Sequence, residues 1–368
     1  MATGNAARSP GAKTAYAMKA LVYHGPGRKA WEEKPRPVIA RPTDAVVRIV
    51  TTTICGTDLH ILKGDVPTVT DGRVLGHEGV GIVEEVGTAV TRVRAGDRVL
   101  ISCISADGTC DPCRRGMSSH CTNGGWVLGN TIDGTQAEYV RIPFADTSLY
   151  VAPPHVEDEA LVMLSDILPT GFECGVLNGQ VKPGDTIAIV GAGPIGLAAL
   201  LTARFYSPSD IIMVDLDGNR LETAQRLGAT HAVHGGGAEA GRRVMELTGE
   251  RGVDVAIEAV GVPAAFDICQ AVVAAGGHIA NIGVFGKSVE LHLERLWSQN
   301  ITLTTRLVDT VTTPRLLRML AAGTLDPRPL VTHRFRLEDI MRAYDTFANA
   351  AQEKALKVVL SAARFPAS

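Results

Sequence analysis

The sequence predicts an α/β protein of two units, in which a β-rich unit is interrupted by a doubly wound parallel sheet. Three observations carry that expectation. Short apolar runs alternate with helix-compatible stretches between about residues 167 and 308. A Gly-Ala-Gly-Pro-Ile-Gly turn joins one of these runs to the stretch that follows it. Ahead of this region, from Lys19 to about Asp166, β-rich runs are punctuated by Gly and Pro.

Composition narrows the class. A chain of 368 residues, 45% of them hydrophobic, is long enough for two buried cores. Thirty-six basic against 39 acidic side chains leave a net charge of −3, which predicts neither a nucleic-acid partner nor a polybasic membrane contact. No apolar run approaches the roughly 18–20 residues of a membrane span. Residues 1–17 are small and polar without an apolar segment, so they read as a disordered extension rather than a secretory leader. A cytoplasmic chain is the expectation. Four of the seven cysteines fall within Cys103–Cys121, and in an intracellular protein such clustering favours metal over disulfide.

The elements follow in chain order. Val46–Val50, Gly79–Val86 and Arg98–Ile101 read as strands of a mostly antiparallel, barrel-like unit. The second zone places strands at Thr186–Val190, Ile211–Val214, His231–Val233, Val253–Glu258, His278–Ile282 and Ile301–Arg306. Helical faces lie between most of them, such as Leu221, Ala224 and Leu227, while the 283–300 connection is only weakly helical. After Asp309 come a helix, Pro314–Ala322, and a closing strand, Leu356–Leu360, expected to return to the first unit. One domain is therefore expected from 18–166 together with 309–368, and the other from 167–308.

The Gly191-Ala192-Gly193-Pro194-Ile195-Gly196 turn has a strand before it and a helix-compatible Leu197–Phe205 after it. The first glycine permits the tight turn, the second lets a pyrophosphate approach the backbone, and the third packs helix on strand. Phosphates would then meet free N–H groups at a helix N-terminus. Asp215 lies nineteen positions after Gly196, close to the ~20 expected for a ribose-binding acid. Its carboxylate suits the ribose hydroxyls and repels a 2′-phosphate, which favours NAD over NADP; Arg220 is the nearest cation.

Two constellations offer metal ligands. The dispersed one contains Cys55, Thr57, Asp58, His60, His77, Glu78 and Asp166, whose thiolate, imidazole and carboxylates suit Zn²⁺ with one open position. The compact one is Cys110-x2-Cys113-x7-Cys121, with Asp107 or Cys103 as the fourth donor of a structural zinc knuckle. Cys174 and Cys269 read as small buried hydrophobes.

These residues resemble the zinc-dependent medium-chain alcohol dehydrogenase family, in their order and over nearly all the chain from Met18 to about Ala363. The resemblance implies a GroES-like catalytic domain split by a Rossmann domain. It implies Cys55, His77 and Asp166 as catalytic zinc ligands, with Asp in third place as in a set of bacterial members. Glu78 resembles the family's acid near the metal, and Asp58 the carboxylate that orients the ligating histidine. Thr57 would bond the alcohol oxygen and His60 would pass its proton to solvent. Thr170, Ile195, Ile282, Gly283 and Val284 match positions that place the nicotinamide, and Lys357 a pyrophosphate contact. Gly56 stands where some relatives carry a cation for the pyrophosphate.

By the same resemblance Asp107 takes the place of a first cysteine in the structural site. Cys103 falls in the substrate pocket with Trp126 and Val66, where its small size leaves room for substituted or aromatic alcohols. The implied activity is reversible oxidation of alcohols to aldehydes or ketones with NAD. Polyol and amino-alcohol dehydrogenases resembling the sorbitol and threonine enzymes are the alternative within the family, and a non-catalytic NAD-binding protein the alternative on the same fold. The apolar residues around Trp126 favour simple alcohols, and the full set of ligand types favours catalysis. A homo-oligomer is expected, a tetramer ahead of a dimer, joined at the strand Ile301–Thr305.

Overall fold

Six parallel strands form one sheet: β1 Thr186–Val190, β2 Asp210–Asp215, β3 His231–His234, β4 Val253–Glu258, β5 Val273–Asn281 and β6 Thr302–Thr305. Their order is β3-β2-β1-β4-β5-β6, the doubly wound arrangement in which the reversal beside β1 opens a crevice at the strand C-termini. Alternation along β1 sends Ile187 and Ile189 into one core with Leu197 and Leu200. It sends Ala188 and Val190 into the other, with Phe266 and Cys269. Both faces are buried, so the strands read as continuous apolar runs. The computed structural model describes residues 17–362.

Differences from the sequence expectations have local causes. β5 starts at Val273, because Val273 pairs with Val253 before a register shift, and ends at Asn281, because the N–H groups of Ile282 and Gly283 turn to Glu258 O. The helix after the glycine turn begins at Pro194, whose fixed φ suits a first turn, and closes at Ala203. The 283–300 connection holds one four-residue helix, Leu293–Leu296. The expected disordered extension lies outside the described residues, except Ala17, which opens the strand Ala17–Tyr23 opposite Pro35.

The β-rich part is built on the ten-residue strand Ala45–Ile54. Gly79–Val86, Tyr139–Ile142 and the closing strand Lys357–Ser361 all pair with it antiparallel. The tail of the chain thus returns to the first unit, with Val358 opposite Ile54. Between the two sheets, Ile167–Thr170 runs into a π-helical segment, Gly171–Leu177, an irregularity common at functional sites. Its Glu173 is buried and accepts the N–H groups of Asp309, Thr310 and Thr312. The chain leaves the parallel sheet and crosses back at this carboxylate.

Candidate active site

Cys55 follows the strand Ala45–Ile54 and stands at the N-cap of the helix Gly56–Lys63. His77 and Glu78 precede the strand Gly79–Val86, and Gly76 before them has φ +92°. A side chain at Gly76 would meet Gln136 Cγ at 2.6 Å, so only glycine lets the chain turn here. Asp166 stands at the start of the helix Ile167–Thr170. The four acidic, thiol and imidazole groups come from three separate segments and converge in the interior.

The spacing suits a tetrahedral ion. Cys55 Sγ is 3.7 Å and His77 Nε2 3.3 Å from Asp166 Oδ2. Zinc with ordinary bond lengths separates S from O by about 3.6 Å and N from O by about 3.4 Å. Donor atoms of Cys55, His77 and Glu78 also lie within 4.8 Å of one another. Burial disfavours the charged form of His77, yet its bonds to Asp166 and Cys55 hold its pKa well above the ordinary value. Burial is the largest single effect and opposes ionisation of Asp166, but the bond and charge of His77, the bond from Thr170 and the Lys357 charge together outweigh it and keep that carboxyl below its usual range. The imidazolium–carboxylate pair marks a place built for positive charge, and a divalent ion there would displace the proton.

Two roles differ from expectation. Lys357 does not reach a pyrophosphate site: its side chain is 1% exposed and donates to Glu78 Oε2, Thr53 Oγ1 and Ile54 O beneath the metal centre. Burial disfavours its charge, but Glu78, by charge and hydrogen bond, together with the charges of Cys55 and Asp166 more than offsets that and raises its pKa. Glu78 Oε2 also accepts from Thr53, so the acid is tethered on this side. Asp58 makes no hydrogen bond to His77; its Oδ2 accepts from Cys55 N at 2.9 Å and Gln136 Nε2 at 3.0 Å. Asp58 Oδ1, His77 Nδ1 and Glu78 Oε1 are buried without partners. Thr53, Gln136 and Glu173 belong to no spacing motif, which is why sequence reading passed over them.

Thr57 and His60 lie three positions apart on one helix, hence on one face. Thr57 Oγ1 is 3.7 Å from Cys55 Sγ, while His60 is half-exposed and pairs with Asp65 at 2.9 Å. Cys103 is buried with Sγ 3.7 Å from Asp166 Oδ1, and burial, then the Asp166 charge, pushes its thiol pKa well up. Trp126 packs in one cluster with Val66 and in another with Cys103 and Ile282. Its ring meets His77 edge-on at 6.1 Å. Thr170 donates to Asp166 Oδ1 at 2.6 Å and so links the metal site to the parallel-sheet unit.

The glycine turn has the form of a phosphate cradle. Gly191 takes φ +107°, and a Cβ on Gly196 would lie 1.8 Å from Gly191 O. At Gly193, by contrast, the nearest atom is Arg220 Nη1 at 3.8 Å, so that face is open to a ligand. Pro194 and the half-buried Ile195 begin the helix there. Asp215 ends β2 and accepts from Ala192 N and Asp217 N, which fixes its carboxylate over the turn. Arg220 leans toward Asp217 at 3.8 Å. Ile282, Gly283 and the exposed Val284 follow β5 at the same strand ends; a Cβ on Gly283 would strike Glu258 Oε2.

The cysteine lobe forms a second group. Asp107, Cys110, Cys113 and Cys121 each bring a donor atom within 4.8 Å of the others. Cys110 Sγ and Cys121 Sγ are 3.9 Å apart, against about 3.8 Å across a tetrahedral zinc. Backbone N–H groups of Cys113 and Thr122 lower the Cys110 thiol pKa to about 7. Bonds from Asn123 and then Thr109 and Cys110 hold Asp107 far below its usual range. Cys103 lies with the first constellation and takes no part here.

Comparison with known proteins agrees with this geometry. The Alcohol dehydrogenase GroES-like domain family matches residues 41–153, and the Zinc-binding dehydrogenase family matches 194–322. An alcohol dehydrogenase of Cupriavidus necator is 39% identical over 366 residues, covering 93% of this chain and 98% of that protein. Among solved structures, the apo form of zinc dependent alcohol dehydrogenase 2 from Streptococcus pneumonia superposes with a TM-score of 0.90 at 54% identity, covering 95% of this chain and all of that one. An alcohol dehydrogenase from Thermus sp. ATN1 gives 0.86 at 36%, covering 94% and 99%. With both constellations, the nucleotide turn and these relatives in the same chain order, the protein belongs to the zinc-dependent medium-chain alcohol dehydrogenase family.

Proposed function

We propose that this chain is an NAD-dependent alcohol dehydrogenase that interconverts simple primary or secondary alcohols with aldehydes or ketones. The observation that carries the reading is the convergence of Cys55, His77 and Asp166 at tetrahedral spacing beside an apolar cluster that includes Cys103 and Trp126. Zinc held by these three would supply a Lewis acid that makes a bound alcohol far more acidic, and NAD would supply the hydride acceptor. Thr57 would take the alcohol proton at its hydroxyl oxygen while releasing its own hydroxyl proton, which would pass through the ribose hydroxyls of a bound cofactor to His60, one turn on, and from there to solvent. Cys103, Trp126 and Val66 exclude water from the reacting carbon, and Thr170, Ile195 and Ile282–Val284 seat the nicotinamide.

The anchored Asp215 favours NAD, since a 2′-phosphate would meet a fixed negative charge. The pyrophosphate is left to backbone N–H groups and Arg220, with Lys357 committed elsewhere. A second zinc at Asp107, Cys110, Cys113 and Cys121 stabilises the lobe. The exposed edge β6, with Leu303 at 38% exposure, and Trp297 ahead of it at 78%, support pairing with a second copy and a tetramer built from such dimers. Seven unpaired cysteines support a reducing, cytoplasmic setting. Among the described residues no helix is long and apolar enough to cross a membrane.

The test is a panel of primary, secondary and polyhydroxy alcohols, each assayed with NAD and with NADP. Turnover of simple alcohols with NAD at a kcat/KM at least about tenfold above that with NADP, a ~1.4 kcal/mol preference, is expected. Preference for NADP overturns the Asp215 argument, and preference for polyols overturns the apolar-pocket argument.

A further inference from the structure

Behind the Cys55–His77 side of the metal centre lies a buried polar chain that none of the proposed chemistry uses. Gln136 is fully buried; its Nε2 donates to Asp58 Oδ2 at 3.0 Å and to Thr53 O at 3.1 Å. Its Oε1 accepts from Tyr344 Oη at 2.8 Å, and Tyr344 is 1% exposed on the helix Ile340–Ala348. The direction of this chain is forced. A carbonyl can only accept, so the amide must turn Nε2 toward Thr53 O, whatever the charge on Asp58. Oε1 is then left for Tyr344, whose hydroxyl must donate. A flipped amide would set its oxygen against Thr53 O and Asp58 Oδ2 in a buried site and take one donor from each.

The consequence reaches the metal ligands. Asp58 Oδ2 takes two N–H groups, from Gln136 and from the backbone of Cys55, and this pins both the carboxylate and the start of the ligand-bearing helix. The other oxygen, Oδ1, stays unpaired, as does His77 Nδ1.

We propose that Gln136, its amide set by Tyr344, is a positioning residue for the metal centre: it fixes Asp58, and through Asp58 the backbone that carries the Cys55 donor. The inference rests on the zinc reading. Through Tyr344 it makes the C-terminal helix Ile340–Ala348 part of the support of the metal site.

The test measures zinc affinity by chelator competition, following the ion whose loss accompanies Cys55→Ser, together with the visible spectrum of the cobalt-substituted protein. Gln136→Leu removes the donor, and Gln136→Glu replaces it with an acceptor facing Asp58 and Thr53 O. Tyr344→Phe removes one oxygen and keeps the ring, so it remains a folded probe should the Gln136 variants unfold. Zinc affinity is expected to fall about 10–100-fold in the Gln136 variants and by less in Tyr344→Phe. The cobalt bands should shift in all three, and Tyr344→Phe should add nothing in the Gln136→Leu background. Wild-type affinity and spectrum in a folded Gln136→Leu or Tyr344→Phe variant overturn the positioning role while leaving the zinc reading intact. So does an additional, independent loss from Tyr344→Phe in the double variant. A wild-type chain that holds no zinc sensitive to Cys55→Ser overturns the zinc reading, and this inference with it.

Discussion

Lys357 shows how much of a residue's role depends on its neighbours. From sequence it is a cation near the C-terminus, suited to a pyrophosphate; in the fold it is 1% exposed beside an equally buried Glu78. A strand places it there, and nothing in its own segment announces the partner 279 positions away. Truncating one member of a buried pair strands the other charge, at a cost of about 3–5 kcal/mol. Lys357→Met should therefore lower the urea midpoint by that equivalent without a specific loss of cofactor affinity. Unchanged stability together with weakened NADH binding would restore the pyrophosphate role. Cys110 makes a second residue-scale prediction. With its pKa near 7 and partial exposure, it should be the first thiol alkylated in chelator-treated protein. Thiolate grows as pH rises, so the rate should climb through pH 7 and level off above it, and zinc should suppress it. Mass spectrometry of the labelled peptides checks both. Equal labelling with and without zinc would remove Cys110 from the metal site.

At the scale of elements, regular strands were legible where period and punctuation coincide. Thr186–Val190, Val253–Glu258, Gly79–Val86 and Arg98–Ile101 have the bounds that their apolar runs imply. β5 was legible only in its second half, because its first half lies across a register shift and contains Gly276 and Gly277. The π-helical segment after Thr170 was not legible at all, since its widening answers Glu173 and a segment more than 130 positions away. The glycine turn separates two effects cleanly. Gly196→Ala would drive a methyl into Gly191 O at 1.8 Å, so loss of fold and of binding should arrive together. Gly193→Ala points into open space bounded by Arg220, so thermal stability should barely change. Cofactor Kd should nonetheless rise at least about tenfold, ~1.4 kcal/mol. NADH titration by fluorescence, alongside thermal unfolding, distinguishes the two. An unchanged Kd in Gly193→Ala would mean that no phosphate approaches this turn.

For the whole molecule, the topology turns a dispersed list of residues into one cleft. Cys55, His77 and Asp166 are legible as ligand types, but their meeting depends on the sheet built on Ala45–Ile54 and on the helix that Asp166 starts. The parallel sheet brings its strand ends and glycine turn to the side where Thr170 bonds Asp166, so cofactor and metal sites share a boundary. The chain crosses back at Glu173, and Asp309 there also accepts from Ser119 of the cysteine lobe. The lobe, the crossing and the metal centre are thereby joined by hydrogen bonds. The central claim is that metal at the Cys55–His77–Asp166 site is required for turnover. Its most direct measurement is zinc per chain, determined together with alcohol-dependent NADH formation in the wild-type chain, the chelator-treated chain and Cys55→Ser. The account predicts two zinc ions in the wild type and one in a folded Cys55→Ser. It also predicts loss of turnover by about a thousandfold or more, ~4 kcal/mol, in that variant and after zinc removal, with recovery when zinc is returned to the wild type. Full turnover in zinc-free protein or in Cys55→Ser would contradict it.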